Sequence, residues 1–240
     1  MNIAVIFAGG TGTRMNTKSK PKQFLEMHGK PVLIYTLENF QNHPLIDHII
    51  LVCLESWMDY AASLLQKFGI TKVAGIVPGG KTGQESIFQG IKKAEELYGG
   101  NNIVLIHDGV RPLIDEETIT NCIKTAGKYG NAITVSPAIG TIFLKNEDND
   151  YVGQIFDRSH CEMAKAPQCF RLGDIYKTHL KAKEEGQCGF IDSASLMQHY
   201  GHPLFTVKGP AENIKITTPS DFYVFRAIMD AKENLQILGL

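Results

Sequence analysis

Apolar residues recur along the chain with two different spacings. Short apolar runs predict strands at 2–7, 48–53, 73–77, 103–106, 132–136 and 204–207. Between them, apolar residues at every third or fourth position predict helices at 31–41, 57–68, 84–97 and 116–128. Strands that alternate with helices predict an α/β fold with a mainly parallel, doubly wound sheet. Such sheets bind ligands beyond the carboxyl ends of their strands, so residues that follow strands are the first functional candidates.

The segment 141–170 departs from this alternation. It reads "TIFLKNEDNDYVGQIFDRSHCEMAKAPQCF", with two short apolar pieces around the turn-rich "NEDND". This pattern predicts a β-hairpin arm at about 141–165 that projects from the main sheet. A projecting arm leaves strand edges and apolar surface that need a partner to cover them. Since no repeat or linker divides the chain, we expect residues 1–240 to form a single domain.

Composition and charge narrow the class of ligand. The 240 residues are 43% hydrophobic, which suits a globular fold, and the net charge of −1 favours neither nucleic acid nor an anionic membrane. The N-terminal apolar run is far shorter than the roughly 18 residues of a membrane span, so we expect a cytoplasmic protein. The five cysteines contain no CxxC pair, which indicates reduced thiols and no zinc site. A small ligand is therefore expected.

The first candidate motif is "AGGTGTRM", directly after the first predicted strand. Its glycines let the backbone approach an anion and turn N–H groups toward it. The spacing differs from the dinucleotide fingerprint and lacks the Lys-Ser/Thr ending of a P-loop. Arg14 and Lys22 follow, and two added cations suit a polyphosphate. The alternative is a tight turn with surface cations.

Three further motifs follow later strands. In "IVLIHDGVRP", Asp108 is placed to hold Mg²⁺ beside a triphosphate, or else to cap a helix or turn. In "AENIKITTPSDF", Lys215 points away from the apolar side of its strand, toward a ligand or into solvent. In "GFIDSASLM", Asp192 and Ser193 stand at a predicted helix start, where they either cap the helix or hold substrate hydroxyls.

Together these motifs resemble a known family. "AGGTGTRM", "PKQF", "HDGVRP", "RSH…APQCF", "DSAS" and "NIKITTPSDF" have the order and spacing of the cytidylyltransferases that act on polyol phosphates. That family includes the methylerythritol-4-phosphate enzymes of isoprenoid synthesis and the ribitol-5-phosphate enzymes of teichoic-acid and capsule synthesis. The resemblance spans about residues 1–230. It implies a Rossmann-like nucleotidyltransferase fold, CTP with Mg²⁺ or another divalent cation, and a homodimer that exchanges β-arms.

The resemblance also implies a role for each matching residue. The nucleotide-binding residues would be Phe7, Ala8, Gly9, Gly10, Thr11, Gly12, Thr13, Gly79, Gly80 and Ser86. The catalytic cations would be Arg14, Lys22 and Lys215, and the metal ligand would be Asp108. The acceptor would contact Arg111, Thr141, Arg158, Asp192 and Lys215, with Arg158 supplied by the partner's arm. No nucleophile–base pair is needed, because a phosphate monoester is already an anionic nucleophile.

The acceptor is the less determined substrate. The "AGGTGTRM" loop and "RSH" resemble the ribitol-phosphate enzymes, which favours D-ribitol 5-phosphate over the alternative, 2-C-methyl-D-erythritol 4-phosphate. Gly140-Thr141 replaces the Asp-Thr common in the methylerythritol enzymes. Ala166 stands where both groups usually have Thr.

Two other protein classes are less favoured by the sequence. An NAD(P)-dependent oxidoreductase would need an acidic residue soon after the glycines, but Glu55 lies 43 residues beyond Gly12. A non-catalytic nucleotide-binding protein would have no reason to combine Arg14, Lys22, Asp108 and Lys215.

Overall fold

The described part of the chain is organised around a seven-stranded sheet. The computed structural model describes residues 1–10, 20–146 and 151–238. In chain order the strands are β1 (Asn2–Ala8), β2 (Glu26–Met27), β3 (Lys30–Pro31), β4 (His48–Cys53), β5 (Val73–Pro78), β6 (Ile103–Asp108), β7 (Asn131–Pro137), β8 (Ile142–Lys145), β9 (Val152–Phe156), β10 (Glu162–Arg171) and β11 (Thr206–Lys208). The central sheet has the order β11-β7-β10-β6-β1-β4-β5. All its neighbouring pairs are parallel except the two that β10 makes, so the mainly parallel sheet is confirmed.

Helices cover both faces of this sheet. They are α1 (Val32–Gln41), α2 (Met58–Lys67), α3 (Gly83–Tyr98), α4 (Glu116–Tyr129), α5 (Leu172–Glu184), α6 (Ser193–His199) and α7 (Pro219–Leu238). Helices α1, α2 and α4 pack with Ala4 and Ile6 of β1, whereas α3, α5 and α6 pack with Ile3 and Val5 on the opposite face. The doubly wound arrangement is therefore confirmed. No helix in the described ranges has the length and apolar character that crossing a bilayer requires.

Strand β10 was not predicted, and it changes the boundary of the arm. The hairpin of β8 and β9 is present, but residues 162–165, which we assigned to the arm, belong to β10 and pair with β7 in the central sheet. Pro167 interrupts the pattern of this strand, and a proline argues against a central strand. The structure accommodates it where the register shifts between Ala164 and Gln168.

The carboxyl ends of four parallel strands meet at one edge of the sheet. The register places Phe7 of β1 beside Asp108 of β6, and Ala8 beside Cys53 of β4. Cys53 in turn lies beside Pro78 of β5. The chain segments that follow these strands therefore come together, as expected for a doubly wound sheet.

Close packing of α3 on the sheet generates a first prediction. A Cβ at Gly90 would collide with a methyl group of Val5 and lie 2.7 Å from Cγ2 of Val52. We expect Gly90→Ala to lower the free energy of unfolding by about 1–3 kcal/mol, because the helix must move away from β1 and β4. Equilibrium urea unfolding measures this change.

Gly127 of α4 provides the matched control. A Cβ there meets no atom within 4 Å. Gly127→Ala should leave the stability unchanged or raise it by up to about 1 kcal/mol, because alanine favours the helix. Equal urea midpoints for the two variants would contradict the packing argument.

Candidate active site

Two adjoining cavities lie at the carboxyl edge of the sheet. The glycine-loop cavity, of about 410 Å³, is lined by Ala8, Gly9, Gly10, Lys22, Gly80 and Ser86, among others. The Arg111 cavity, of about 320 Å³, is lined by Arg111, Lys165, Ala166, Gln168, Asp192 and Ser193, among others. Phe7, Gly83, Asp108 and Lys215 line both cavities and form their common border.

Four glycines, Gly9, Gly10, Gly80 and Gly83, contribute backbone to the wall of the glycine-loop cavity. A Cβ at Gly9 would lie 3.2 Å from Oγ of Ser86, and a Cβ at Gly80 would collide with the side chain of Glu85. Glycine at these two positions therefore lets the loops after β1 and β5 pack closely against the start of α3. Ser86 lines the cavity as predicted, but its hydroxyl accepts from Gly80 N–H at 3.1 Å and donates to the Thr82 carbonyl at 2.9 Å. These bonds hold the loop after β5.

A short 3₁₀ turn, Lys22–Phe24, brings a cation and an anchor to the same loop. Phe24 is fully buried and stacks on Trp57 with ring centroids 5.0 Å apart, which fixes the turn against the core. Lys22 is 9% exposed and lines the glycine-loop cavity. A cation so placed complements the charge of a polyphosphate.

Gln23 fixes the backbone of the loop after β1. Its side chain is buried, and its Nε2 donates to the carbonyl oxygen of Ala8 at 2.6 Å and to that of Gly10 at 3.3 Å. In a planar trans peptide the C=O and the next N–H point in opposite directions, so holding the Ala8 carbonyl directs the Gly9 N–H away from Gln23. Sequence reasoning missed this residue, whose only signal was its place in "PKQF".

An ion-pair cluster around the buried Asp108 carboxylate lies at the border of the two cavities. Asp108 Oδ2 accepts from Arg111 Nε at 2.7 Å, and Asp108 Oδ1 lies 2.5 Å from Lys215 Nζ. Burial raises the pKa of Asp108, but Lys215 and Arg111 outweigh it and hold the pKa at about 2, so the carboxylate is ionised at neutral pH. Arg111 also donates from Nη1 to the Asn213 carbonyl at 2.9 Å. The cluster holds the Lys215 ammonium at the border between the two cavities, where a ligand in one cavity would meet a ligand in the other.

The Arg111 cavity combines cations with polar side chains. Asp192 lines it as predicted, but its Oδ1 accepts from Ser195 N–H at 2.8 Å and its Oδ2 from Gln168 Nε2 at 2.7 Å. Asp192 is thus the N-cap of α6, the structural alternative of the sequence analysis. Lys165, which sequence reasoning missed, adds a third cation beside Arg111 and Lys215. Burial lowers the pKa of Lys165.

Most of the predicted site residues that the structure describes come together at these cavities. Gly79 packs closely against Ser86, since a Cβ added at Gly79 would lie 3.0 Å from the Ser86 hydroxyl. Thr141 and Arg158 are exposed and line neither cavity; Arg158 donates from Nη1 to the Ile139 carbonyl at 3.0 Å. The predicted residues Thr11, Gly12, Thr13 and Arg14 lie outside the described residues.

Comparisons with known proteins identify the family of this chain. Residues 2–231 match the model of the family IspD, 2-C-methyl-D-erythritol 4-phosphate cytidylyltransferase. The chain is 53% identical over 239 residues, 100% of both chains, to ribitol-5-phosphate cytidylyltransferase of Vibrio parahaemolyticus. It is 40% identical, over 98% of this chain and 100% of the relative, to 2-C-methyl-D-erythritol 4-phosphate cytidylyltransferase of Clostridium acetobutylicum. The crystal structure of 4-diphosphocytidyl-2C-methyl-D-erythritol synthase from Anaerococcus prevotii superposes with a TM-score of 0.82 at 28% identity, covering 95% of this chain and 96% of that chain.

The contacts of Gln23 generate a second prediction. Gln23→Met keeps the side-chain volume but removes both hydrogen bonds to the loop carbonyls. We expect the variant to bind CTP about 10-fold more weakly, because the loop N–H groups lose their fixed direction. Isothermal titration calorimetry with CTP measures the affinity.

Gln41→Met is the matched control. Gln41 also holds a loop, since its Oε1 accepts from the N–H groups of Thr71 and Lys72 at 2.9 and 2.8 Å, but it lines neither cavity. This variant should bind CTP as the wild type does. If both variants lose CTP affinity equally, the loss comes from lower general stability, and the role that we assign to Gln23 is wrong.

Proposed function

Since the chain belongs to the IspD family of cytidylyltransferases, we propose that it joins CTP to D-ribitol 5-phosphate, giving CDP-ribitol and pyrophosphate. The observation that carries this proposal is the pair of cavities that share Asp108 and Lys215 at their border. The glycine-loop cavity has the backbone wall that a triphosphate requires, and the Arg111 cavity has the cations that a phosphate monoester requires. Family membership also sets aside the oxidoreductase and non-catalytic alternatives.

The reaction needs positioning and charge stabilisation rather than a covalent intermediate. An oxygen of the acceptor phosphate attacks the α-phosphorus of CTP, the new P–O bond forms, and the bond to the β-phosphate oxygen breaks. Pyrophosphate leaves with the electron pair of that bond. Lys22 and Lys215 stabilise the negative charge that accumulates during this transfer, and we expect Arg14 to do the same.

Asp108 has two roles in this proposal. Its charge, held between Arg111 and Lys215, orients the Lys215 ammonium toward the reacting phosphates. Among the described residues that line the glycine-loop cavity, it is also the one carboxylate. Mg²⁺ prefers one or two carboxylates together with phosphate oxygens, so this donor set fits a divalent cation that enters with CTP. A bound Mg²⁺ would neutralise part of the triphosphate charge.

The acceptor is assigned from the relatives and from the Arg111 cavity. Of the relatives described above, the one of higher identity bears the name ribitol-5-phosphate cytidylyltransferase. The cavity presents Arg111 and Lys165 for a phosphate, and Gln168, Asp192 and Ser193 among its polar side chains for hydroxyl groups. 2-C-methyl-D-erythritol 4-phosphate remains the alternative, because another relative bears that name. Because the proposed reaction uses CTP, we expect the enzyme to act in the cytoplasm.

The β8–β9 arm supports a homodimer with shared sites. Ile139, Phe143, Leu144 and Ile155 are each more than half exposed on or beside the arm, and a partner would cover them. Arg158 lies at the base of the arm and lines neither cavity of its own chain. In a two-fold dimer it would extend to the acceptor phosphate in the partner's Arg111 cavity.

A panel of acceptors tests the proposed function. Pyrophosphate release is measured with CTP, Mg²⁺ and, in turn, ribitol 5-phosphate, methylerythritol 4-phosphate and glycerol 3-phosphate. Ribitol 5-phosphate should exceed methylerythritol 4-phosphate by at least about 100-fold in kcat/KM, because the wrong acceptor leaves polar groups unpaired. Chelation with EDTA should abolish the activity, and added Mg²⁺ should restore it. A preference for methylerythritol 4-phosphate would overturn the acceptor assignment and keep the reaction class.

The shared site predicts complementation between two inactive chains. In a heterodimer of Arg158→Ala and Lys22→Ala chains, one of the two sites receives an intact core and an intact arm. Refolding equal amounts together should recover roughly a quarter of wild-type activity, because random pairing makes half of the dimers mixed. Native mass spectrometry confirms the heterodimer. Mixed dimers without activity would show that Arg158 does not act across the interface.

A further inference from the structure

Ser193 has a buried hydroxyl that the capping of α6 does not use. The residue is 2% exposed, and its Oγ has no hydrogen-bond partner among the described residues. The cap is formed by Asp192 and Ser195 instead: Ser195 N–H donates to Asp192 Oδ1, and Ser195 Oγ accepts from Asp192 N–H at 3.2 Å. An unpaired buried hydroxyl is unfavourable, and the residue that carries it lines the Arg111 cavity. Both facts point to a ligand that pairs with it.

A second unpaired polar atom lies close to Ser193. His179 of α5 is 4% exposed, and its Nε2 has no partner within the described part of the chain. His179 and Ser193 both line a small cavity of about 10 Å³, close to the volume that one water molecule requires. Burial lowers the pKa of His179 to about 4, so its ring is neutral at pH 7. Asp192 lines the same small cavity and no cation among the described residues does, so this site suits a hydroxyl group and not a phosphate.

The position of Ser193 fits the hydroxyl-bearing part of an acceptor. The border with the glycine-loop cavity consists of Phe7, Gly83, Asp108 and Lys215, and Ser193 is not among these residues. Ser193 instead adjoins the small cavity. The acceptor phosphate must lie at the Lys215 border, because its oxygen attacks the nucleotide there. The rest of the acceptor then extends into the part of the Arg111 cavity where Ser193 lies.

We propose that Ser193 is a specificity-determining residue, whose hydroxyl binds one hydroxyl group of the acceptor polyol. This inference rests on the proposed function, since it assumes that a polyol phosphate occupies the Arg111 cavity. The side chains of Asp192 and Gln168 are hydrogen-bonded to each other. Of these three neighbouring side chains, Ser193 is the one whose hydroxyl can use both its donor and its acceptor sites for the ligand.

Ser193→Ala tests the inference by kinetics and by unfolding. The variant should lower kcat/KM for ribitol 5-phosphate by about 10-fold, while the KM for CTP stays within about twofold. Its thermal midpoint should not fall, because removing an unpaired hydroxyl breaks no hydrogen bond in the free protein. Ser63→Ala is the control, since Ser63 is exposed on helix α2, where its hydroxyl bonds the Tyr60 carbonyl, and the variant should leave all three quantities unchanged.

Monodeoxy analogues of ribitol 5-phosphate identify the interaction from the substrate side. The analogue that lacks the bound hydroxyl should be used equally well by the wild type and by Ser193→Ala, whereas the other analogues should keep the 10-fold difference. A constant difference with every analogue, or a lowered thermal midpoint, would assign Ser193 a structural role and overturn the inference.

Two further outcomes separate this inference from the proposed function. If wild type and Ser193→Ala use ribitol 5-phosphate equally well, the inference is wrong and the proposed function stands. If the wild type uses no acceptor of the panel, the proposed function fails, and the inference fails with it.

Discussion

The buried carboxylate of Asp108 is the constraint on which the site depends. A single charge without partners would be too costly at this depth, so Asp108 requires the two cations that lie against it. Arg111 comes from the segment after the same strand, and Lys215 comes from the far end of the chain. One ion-pair cluster thus ties the C-terminal segment to the middle of the sheet and fixes the ammonium group at the border of both cavities. Since the two cations hold the pKa of Asp108 at about 2, its carboxylate is ionised at neutral pH.

The parallel register of the sheet supplies the other half of the site. It brings the ends of β1, β4, β5 and β6 to one edge, and glycines then let the loops approach more closely than side chains would allow. The side chains of Gln23 and Ser86 hold these loops through hydrogen bonds to backbone groups. The backbone of these loops at the glycine-loop cavity is therefore held in place by a few buried side chains.

The sequence predicted what depends on local pattern and missed what depends on contacts between distant segments. Six strands and four helices followed from apolar spacing, and the glycine loops followed from their place after strands. β10 was missed because Pro167 breaks its strand pattern, and only the register shift in the folded sheet accommodates it. Gln23 was missed because its role depends on the loop carbonyls that the fold brings to it, and Lys165 was missed because its role depends on the cavity that the fold forms around it. For Asp192 the sequence allowed capping or substrate binding; its hydrogen bonds to Ser195 and Gln168 show the capping, and its place in the Arg111 cavity keeps substrate binding as a prediction.

The two cavities differ in how freely substitution can change them. Gly9 and Gly80 of the glycine-loop cavity pack so closely on α3 that an added Cβ would crowd or collide with a neighbouring side chain. The Arg111 cavity also presents polar side chains of β10 and α6, among them Lys165, Gln168 and Ser193. Under the proposed function, nucleotide use would then depend on the packing of the loops, and acceptor choice would depend on individual side chains. We therefore expect relatives named for ribitol 5-phosphate and for methylerythritol 4-phosphate to share one architecture and to differ in the second cavity.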